Sequence, residues 1–269
     1  MSIFDQKVIK YEMKPLSSLE KVFPDETPVY RMECQMLSGL WGETVSFQVA
    51  YTGDFVMRER LDVRVVSELA EHVHVRTVEM VPVGRATTGI VDDNYLKTTS
   101  GLYPDLLKDL KDGKVIVYSR QWRSLWVDVD ITNEIPAGEY EIELQLIKEG
   151  EVVCSAKQKV TVIGTELPKL DIMHTEWMHA DCLADYYHVE VFSEEHWKLL
   201  ENYFQEYVKR DCNMMLTPLF TSPLDTAIGL ERTTCQLIDV EVKDGEYVFG
   251  FEKLKRWIDL CKKCGIEYF

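Results

Sequence analysis

Side chains suited to binding a sugar are concentrated in one short stretch of the sequence. Glu176 and Trp177 are adjacent, and His179 and Asp181 follow directly. An aromatic ring packs against the apolar face of a pyranose, while carboxylates and imidazoles hydrogen-bond the hydroxyl groups around it. Because the stretch supplies both kinds of group, it predicts a carbohydrate-binding site that needs no cofactor.

Two further residues belong to the predicted substrate-binding site. Tyr186 lies a little beyond this stretch, and Asp225 lies in a later loop that also carries the weaker candidates Thr217 and Arg232. These hydroxyl, carboxylate and guanidinium groups extend the same hydrogen-bonding chemistry.

Packing is the alternative interpretation of the first stretch. Alternation along a strand places His174 and Glu176 on one face. They would then form a hydrogen-bonded pair in the core, with Trp177 packed under a helix.

A metal site is a second functional interpretation of the region. His174, His179, Asp181 and His188 are acceptable ligand types. Their spacing is neither a His-x-His pair nor a helical His-Glu-x-x-His motif. We therefore predict no metal ion.

The first part of the chain reads as β-structure. Apolar and polar residues alternate at 45–50, 61–66, 72–76 and 125–130, which is typical of half-buried strands. Strands with one apolar face each need a second sheet to cover them. We predict an immunoglobulin-like β-sandwich over residues 1–164.

Residues 165–269 show a different pattern, β-α-β-α-β. The expected strands are 170–177, 213–217 and 266–269, and the expected helices are 193–209, with Ser193 as N-cap, and 251–264. This order implies parallel strands, as at the start of a (β/α)8 TIM barrel. Such a barrel needs roughly 250 residues, so we expect it to be truncated here.

The connections after the first two strands are long and run over 178–192 and 218–250. Active sites of barrels lie at that end of the strands, so the predicted sugar site is in the expected place. The second connection contains a hairpin around 243–246, which suits either a packing flap or a contact in a homo-oligomer.

Composition and charge exclude several kinds of partner. The chain has 46 acidic and 30 basic side chains and a formal net charge of −16, so nucleic acids and anionic membranes are not expected to bind it. No export signal or apolar span of about 18 residues is evident. We expect a cytoplasmic protein with reduced thiols, in which Cys261 and Cys264 face the core from a helix.

Two sets of sequence strings resemble a known family. In the first part they are 41–48, 101–107, 125–129 and 135–140; in the second they are 174–177 with His179, Asp181, Asp185, Tyr186 and Tyr187, then 216–220 and 223–226. Together they resemble glycoside hydrolase family 123, the β-N-acetylgalactosaminidases, along nearly the whole chain.

The resemblance implies a β-sandwich followed by a catalytic barrel. It also implies retaining hydrolysis of N-acetylhexosaminides, in which the substrate's 2-acetamido group attacks the anomeric carbon, an Asp orients that group and an adjacent Glu assists the leaving group. Here the only adjacent Asp-Glu is Asp25-Glu26, in the first domain. We therefore predict no catalytic residue in this chain and expect it to be inactive alone. The alternative is a non-catalytic carbohydrate-binding or assembly protein.

Overall fold

The computed structural model describes residues 10–29, 36–55, 58–87, 89, 91–169, 171–221 and 226–269. The chain separates into two compact units, Met1–Pro168 and Lys169–Phe269.

The described part of the first unit is built almost entirely from β-strands. The strands are β1 (Lys10–Ser17), β2 (Met36–Trp41), β3 (Thr44–Asp54), β4 (Glu59–Val66), β5 (Val73–Val83), β6 (Gly101–Asp109), β7 (Lys114–Val117), β8 (Arg123–Asp130), β9 (Gly138–Lys148) and β10 (Glu151–Glu166). A short 3-10 helix, Ala70–His72, precedes β5.

The ten strands form two five-stranded sheets, ordered β1-β3-β8-β5-β6 and β2-β10-β9-β4-β7. All pairings are antiparallel except that of β2 with β10, which is parallel. Inward-facing side chains of both sheets share one hydrophobic core, which includes Phe47, Val49, Leu61, Leu125, Val127, Ile142, Leu144 and Val160. The alternation of apolar and polar residues allows each sheet to contribute one apolar face to this core, because successive side chains of a strand point to opposite faces.

The tight turn between β9 and β10 is formed by an acidic residue followed by glycine. Glu149 and Gly150, between β9 and β10, both have positive φ values, 51° and 88°. Two successive positive φ values describe a type I′ turn, whose twist matches that of the strands it joins. The chain therefore reverses here, and β9 and β10 pair antiparallel.

The described part of the second unit contains three helices, α1 (Ala180–Tyr187), α2 (Glu194–Val208) and α3 (Glu252–Cys264), and a hairpin of β11 (Asp239–Lys243) and β12 (Glu246–Gly250). The side chain of Ser193 accepts a hydrogen bond from the His196 backbone N–H, so the predicted N-cap of α2 is confirmed. α1 falls in a region for which the sequence predicted only a loop.

Three segments of the second unit lie side by side, at the positions where parallel strands were expected. The backbone N–H groups of Asn213 and Met214 both donate to the His174 carbonyl oxygen, at 3.1 and 3.0 Å. Met214 and Tyr268 form a parallel bridge. Three more backbone hydrogen bonds, one from Met215 to Tyr268 and two from Glu267 and Tyr268 to Asn213, join the second and third segments. Among the described residues these contacts amount to an isolated bridge rather than a ladder, so the expected strands are present only as short hydrogen-bonded segments.

Candidate functional site

A cavity of about 220 Å³ lies in the second unit, beyond the ends of the first two paired segments. It is lined by Trp177, Met178, His179, Ala180, Asp181, Leu216, Thr217, Pro218, Phe220, Thr221, Arg232 and Cys235. The first five of these lie before and within the first turn of α1. The next five follow the second segment.

The structure divides the predicted site residues into three groups. Trp177, His179 and Asp181 line the cavity. Glu176 and Tyr186 do not line it and are exposed at the surface. Asp225 lies outside the described residues.

Two aromatic rings are available at the cavity. Trp177 is 64% exposed and Phe220 is 54% exposed. Rings left this open can pack against an apolar ligand face. Phe220 was not among the predicted residues, although it belongs to the 216–220 string that carries the family resemblance.

Asp181 and Arg232 form an ion pair in the cavity wall. Arg232 Nε lies 2.6 Å from Asp181 Oδ2, and Arg232 Nη2 donates to Oδ1 at 2.9 Å. The Arg232 side chain is only 12% exposed and that of Asp181 only 8%. Two parallel bonds in a nearly dry setting fix both groups, so the carboxylate orients Arg232 at the cavity.

A second acidic residue on α1 binds the chain segment that contains Arg232. Asp185 lies one helical turn after Asp181 and accepts hydrogen bonds from the Thr233 hydroxyl at 2.9 and 3.0 Å. Residues four apart lie on one helix face. This face of α1 therefore holds the segment that carries Arg232.

Tyr207, which no sequence pattern indicated, fixes the end of the first segment. Its hydroxyl accepts a hydrogen bond from the Glu176 backbone N–H at 2.6 Å and donates to the Met214 carbonyl at 2.8 Å. Helix α2 thereby positions the backbone directly before Trp177. The Glu176 carboxylate is 73% exposed and lies 3.5 Å from Nε2 of His174.

A buried histidine joins the first turn of α1 to the start of α2. His196 Nδ1 accepts a hydrogen bond from the Phe192 backbone N–H, and Nε2 lies 2.9 Å from the Ala180 carbonyl oxygen. Both bonds require the neutral ring with its proton on Nε2. Burial lowers the pKa of His196 below its usual value.

The lowered pKa predicts that the second unit loses stability in acid. As the pH falls below about 6.5, the unfolded chain binds a proton at this histidine before the folded chain does. The expected loss is about 1.4 kcal/mol per pH unit until the folded-state pKa is reached, and stability above that range is unaffected. Urea denaturation at several pH values measures the slope. His196→Leu should flatten it, and the exposed His188→Asn should not; equal slopes for both variants would contradict the assignment.

Cys261 and Cys264, on α3, are structural. Cys261 is fully buried, and burial raises the pKa of its thiol to about 12 and raises that of Cys264 as well. Protonated, buried thiols are unreactive, in agreement with the helix-face interpretation. Among the described residues, no group of three His, Cys, Asp or Glu side chains is arranged to hold a metal ion.

Comparison with known proteins shows that this region is similar to a family of glycoside hydrolases. Residues 177–268 match the family model described as "Glycoside hydrolase 123, catalytic domain". The cavity-lining residues quoted above all fall within this match. The resemblance to family 123 inferred from the sequence strings is confirmed.

A solved structure extends the likeness to the first unit. It is a family 123 glycoside hydrolase from Clostridium perfringens, described in connection with glycolipid glycan hydrolysis; it is 14% identical, with a TM-score of 0.70 over 96% of this chain. At that identity the likeness concerns the fold. This chain spans 46% of the length of that protein.

A β-glucosidase from Listeria innocua aligns over 60% of this chain and 17% of its own, at 10% identity and a TM-score of 0.27. The search of curated proteins found no match. No helix among the described residues is long and apolar enough to cross a membrane.

Proposed function

We propose that this chain is the N-terminal portion of a glycoside hydrolase acting on N-acetylhexosaminides, with N-acetylgalactosaminides as the preferred substrates. The observation that carries the proposal is the cavity beside Trp177. It combines exposed aromatic rings with a fixed guanidinium inside the region that matches the family 123 catalytic domain. The cavity forms one edge of the sugar-binding site.

The proposed architecture is a β-sandwich followed by the opening of a (β/α)8 barrel. In the first unit, two sheets with a common core support the sandwich. In the second unit, the paired segments at His174, Met214 and Tyr268 alternate along the chain with α2 and α3, as strands and helices do in a barrel. The cavity lies beyond the carboxyl ends of these segments, where barrel enzymes bind substrate.

The proposed chemistry is substrate-assisted retaining hydrolysis, an exception to the two-carboxylate rule of glycosidases. In such a reaction the acetamido oxygen replaces an enzyme nucleophile. Asp25 and Glu26 do not serve as the assisting pair, since both bind Lys97 in the first unit, at 3.2 and 2.7 Å. The part played by this chain is therefore to bind and orient the sugar.

Sugar binding by the 269-residue chain tests the proposal. Titration calorimetry with an aryl β-N-acetylgalactosaminide should detect binding without release of the aryl group. Trp177→Ala should weaken binding roughly two- to twelvefold, because an aromatic packing contact contributes about 0.5–1.5 kcal/mol.

The matched control is Tyr247→Ala, which removes an aromatic ring that is 71% exposed on the hairpin and does not line the cavity. It should leave the affinity unchanged. Absence of binding, or the same loss in both variants, would count against the cavity as a sugar site.

A further inference from the structure

A second and larger cleft lies in the first unit, between the two sheets. Its volume is about 710 Å³, within the range of about 300–1,000 Å³ typical of small-molecule sites. The outer strands β6 and β7 both contribute to its lining, as do the strands beside them, β5 and β4. The buried part of the lining includes Tyr51, Val78 and Val115, which are 3%, 8% and 1% exposed.

The charge of this cleft is opposite to that of the whole protein. The chain carries a formal charge of −16. The cleft is lined by six basic side chains, Arg58, Arg60, Lys108, Lys111, Lys114 and Arg123, but by only three acidic ones, Glu59, Glu79 and Asp109. A concave surface with an excess of one sign of charge attracts ions of the other sign.

Part of this positive charge is not neutralised by the protein. Arg60 and Lys114 pair with Asp112 and Asp62, at 2.9 and 3.3 Å. Lys108 and Lys111 have no carboxylate within ion-pair distance in the part of the chain that the structure describes. Of the acidic residues, Glu59 already binds Lys148 at 2.9 Å.

Arg123 adds an unused hydrogen-bond donor. Its guanidinium lies over the ring of Tyr118, at 5.0 Å from the centroid, and its Nη2 donates to Gln121 at 2.9 Å. Its Nε is buried and has no hydrogen-bond partner among the described residues. A buried donor without an acceptor is unfavourable, and an oxygen of a bound anion would satisfy it.

We propose that this cleft binds an acidic sugar, with its carboxylate or sulfate group held by Arg123 together with Lys108 and Lys111. Guanidinium groups suit the oxygens of such anions because their donors are fixed in a planar fork, and lysines add mobile charge. That the ligand is anionic follows from the cleft itself. That the anion is carried by a sugar rests on the proposed function.

Calorimetry on the 269-residue chain at low ionic strength tests this inference. The probes are a sulfated N-acetylhexosamine, a uronic acid, the neutral parent sugar of each, and inorganic sulfate. Both acidic sugars should bind at least about tenfold more tightly than their neutral parents, since each hydrogen bond to a charged group is worth about that factor. Affinity should fall as salt is added.

Variants locate the site. Lys108→Glu/Lys111→Glu and Arg123→Met should each weaken acidic-sugar binding about tenfold or more. The control Lys21→Glu reverses the charge of one exposed loop lysine outside the cleft and should have little effect. Unchanged binding by the double variant, or equal binding of acidic and neutral sugars, would overturn the proposal.

Two results separate this inference from the proposed function. Trp177→Ala should leave acidic-sugar binding in the first unit intact while weakening binding of the aryl sugar in the second. If inorganic sulfate binds as tightly as the sulfated sugar, the cleft is an anion site and its assignment to a sugar is wrong.

Discussion

Replacing Arg232 with methionine is expected to lower the free energy of unfolding of the second unit by about 3–5 kcal/mol. The substitution removes both bonds to Asp181 and leaves a carboxylate that is only 8% exposed without a compensating charge. Methionine is unbranched and matches the aliphatic part of the arginine side chain, so it keeps that part of the packing and the loss reports mainly the uncompensated charge. Urea denaturation followed by circular dichroism measures it.

The double variant Asp181→Leu/Arg232→Met should recover most of this loss, because two apolar side chains in place of a buried ion pair are often neutral or stabilising. The control is Arg256→Met. Arg256 also forms two bonds to a carboxylate, at 2.6 and 2.7 Å to Glu194, but that carboxylate is 83% exposed, and a loss below about 1 kcal/mol is expected. Similar losses in Arg232→Met and Arg256→Met would contradict the burial argument.

This ion pair changes how the predicted site is understood. The sequence proposed Asp181 as a direct ligand of the sugar. In the structure both of its oxygens bind Arg232, so its first role is to position that guanidinium at the cavity wall. Direct binding of a sugar by Asp181 stays a prediction, and Arg232 becomes the stronger candidate for a polar contact.

The strands and helices that sequence patterns predicted well are those with a clear periodic face. α2 has Trp197, Leu200 and Phe204 buried on one side and Ser193 as its cap, and both signals are local. β8 alternates apolar and polar residues, with Leu125, Val127 and Val129 fully buried. Such local patterns predict the structure correctly because the apolar face that they indicate is the face that packs against the core.

α1 was missed because its signals are weak. Its buried residues include Ala180, Leu183 and Ala184, of which two are alanines, so the apolar stripe is small. His179 at its N-cap makes no side-chain capping bond. Strand β1 was not predicted because its pattern is also weak. It contains Pro15 and charged residues, which an outer strand of a sheet tolerates.

The composition of the cavity could be predicted only in part. Trp177 and His179 are close in sequence and directly follow the first paired segment, so position alone indicated them. The partner of Asp181 is 51 residues away in the sequence, and the hydroxyl of Tyr207 reaches Glu176 from helix α2. Such pairings depend on the packing of helices, which local patterns do not specify.

Replacing Trp257 with alanine is expected to destabilise the second unit by about 3–5 kcal/mol. Trp257 is fully buried, and its ring contacts Phe204 edge to face, with centroids 5.0 Å apart, and Trp197 at 6.5 Å. The substitution would leave a cavity between α2 and α3 that close-packed neighbours can fill only partly. The midpoint of urea denaturation should fall accordingly.

Two further variants show whether burial is the cause. Trp177→Ala removes the same side chain from a position that is 64% exposed and should change stability little. Trp257→Phe should cost clearly less than alanine, because it retains an aromatic ring and removes an indole N–H that is buried without a partner among the described residues. If Trp257→Ala and Trp177→Ala had equal midpoints, the packing of α2 against α3 would not depend on this ring, and the core of the second unit would have to be sought elsewhere.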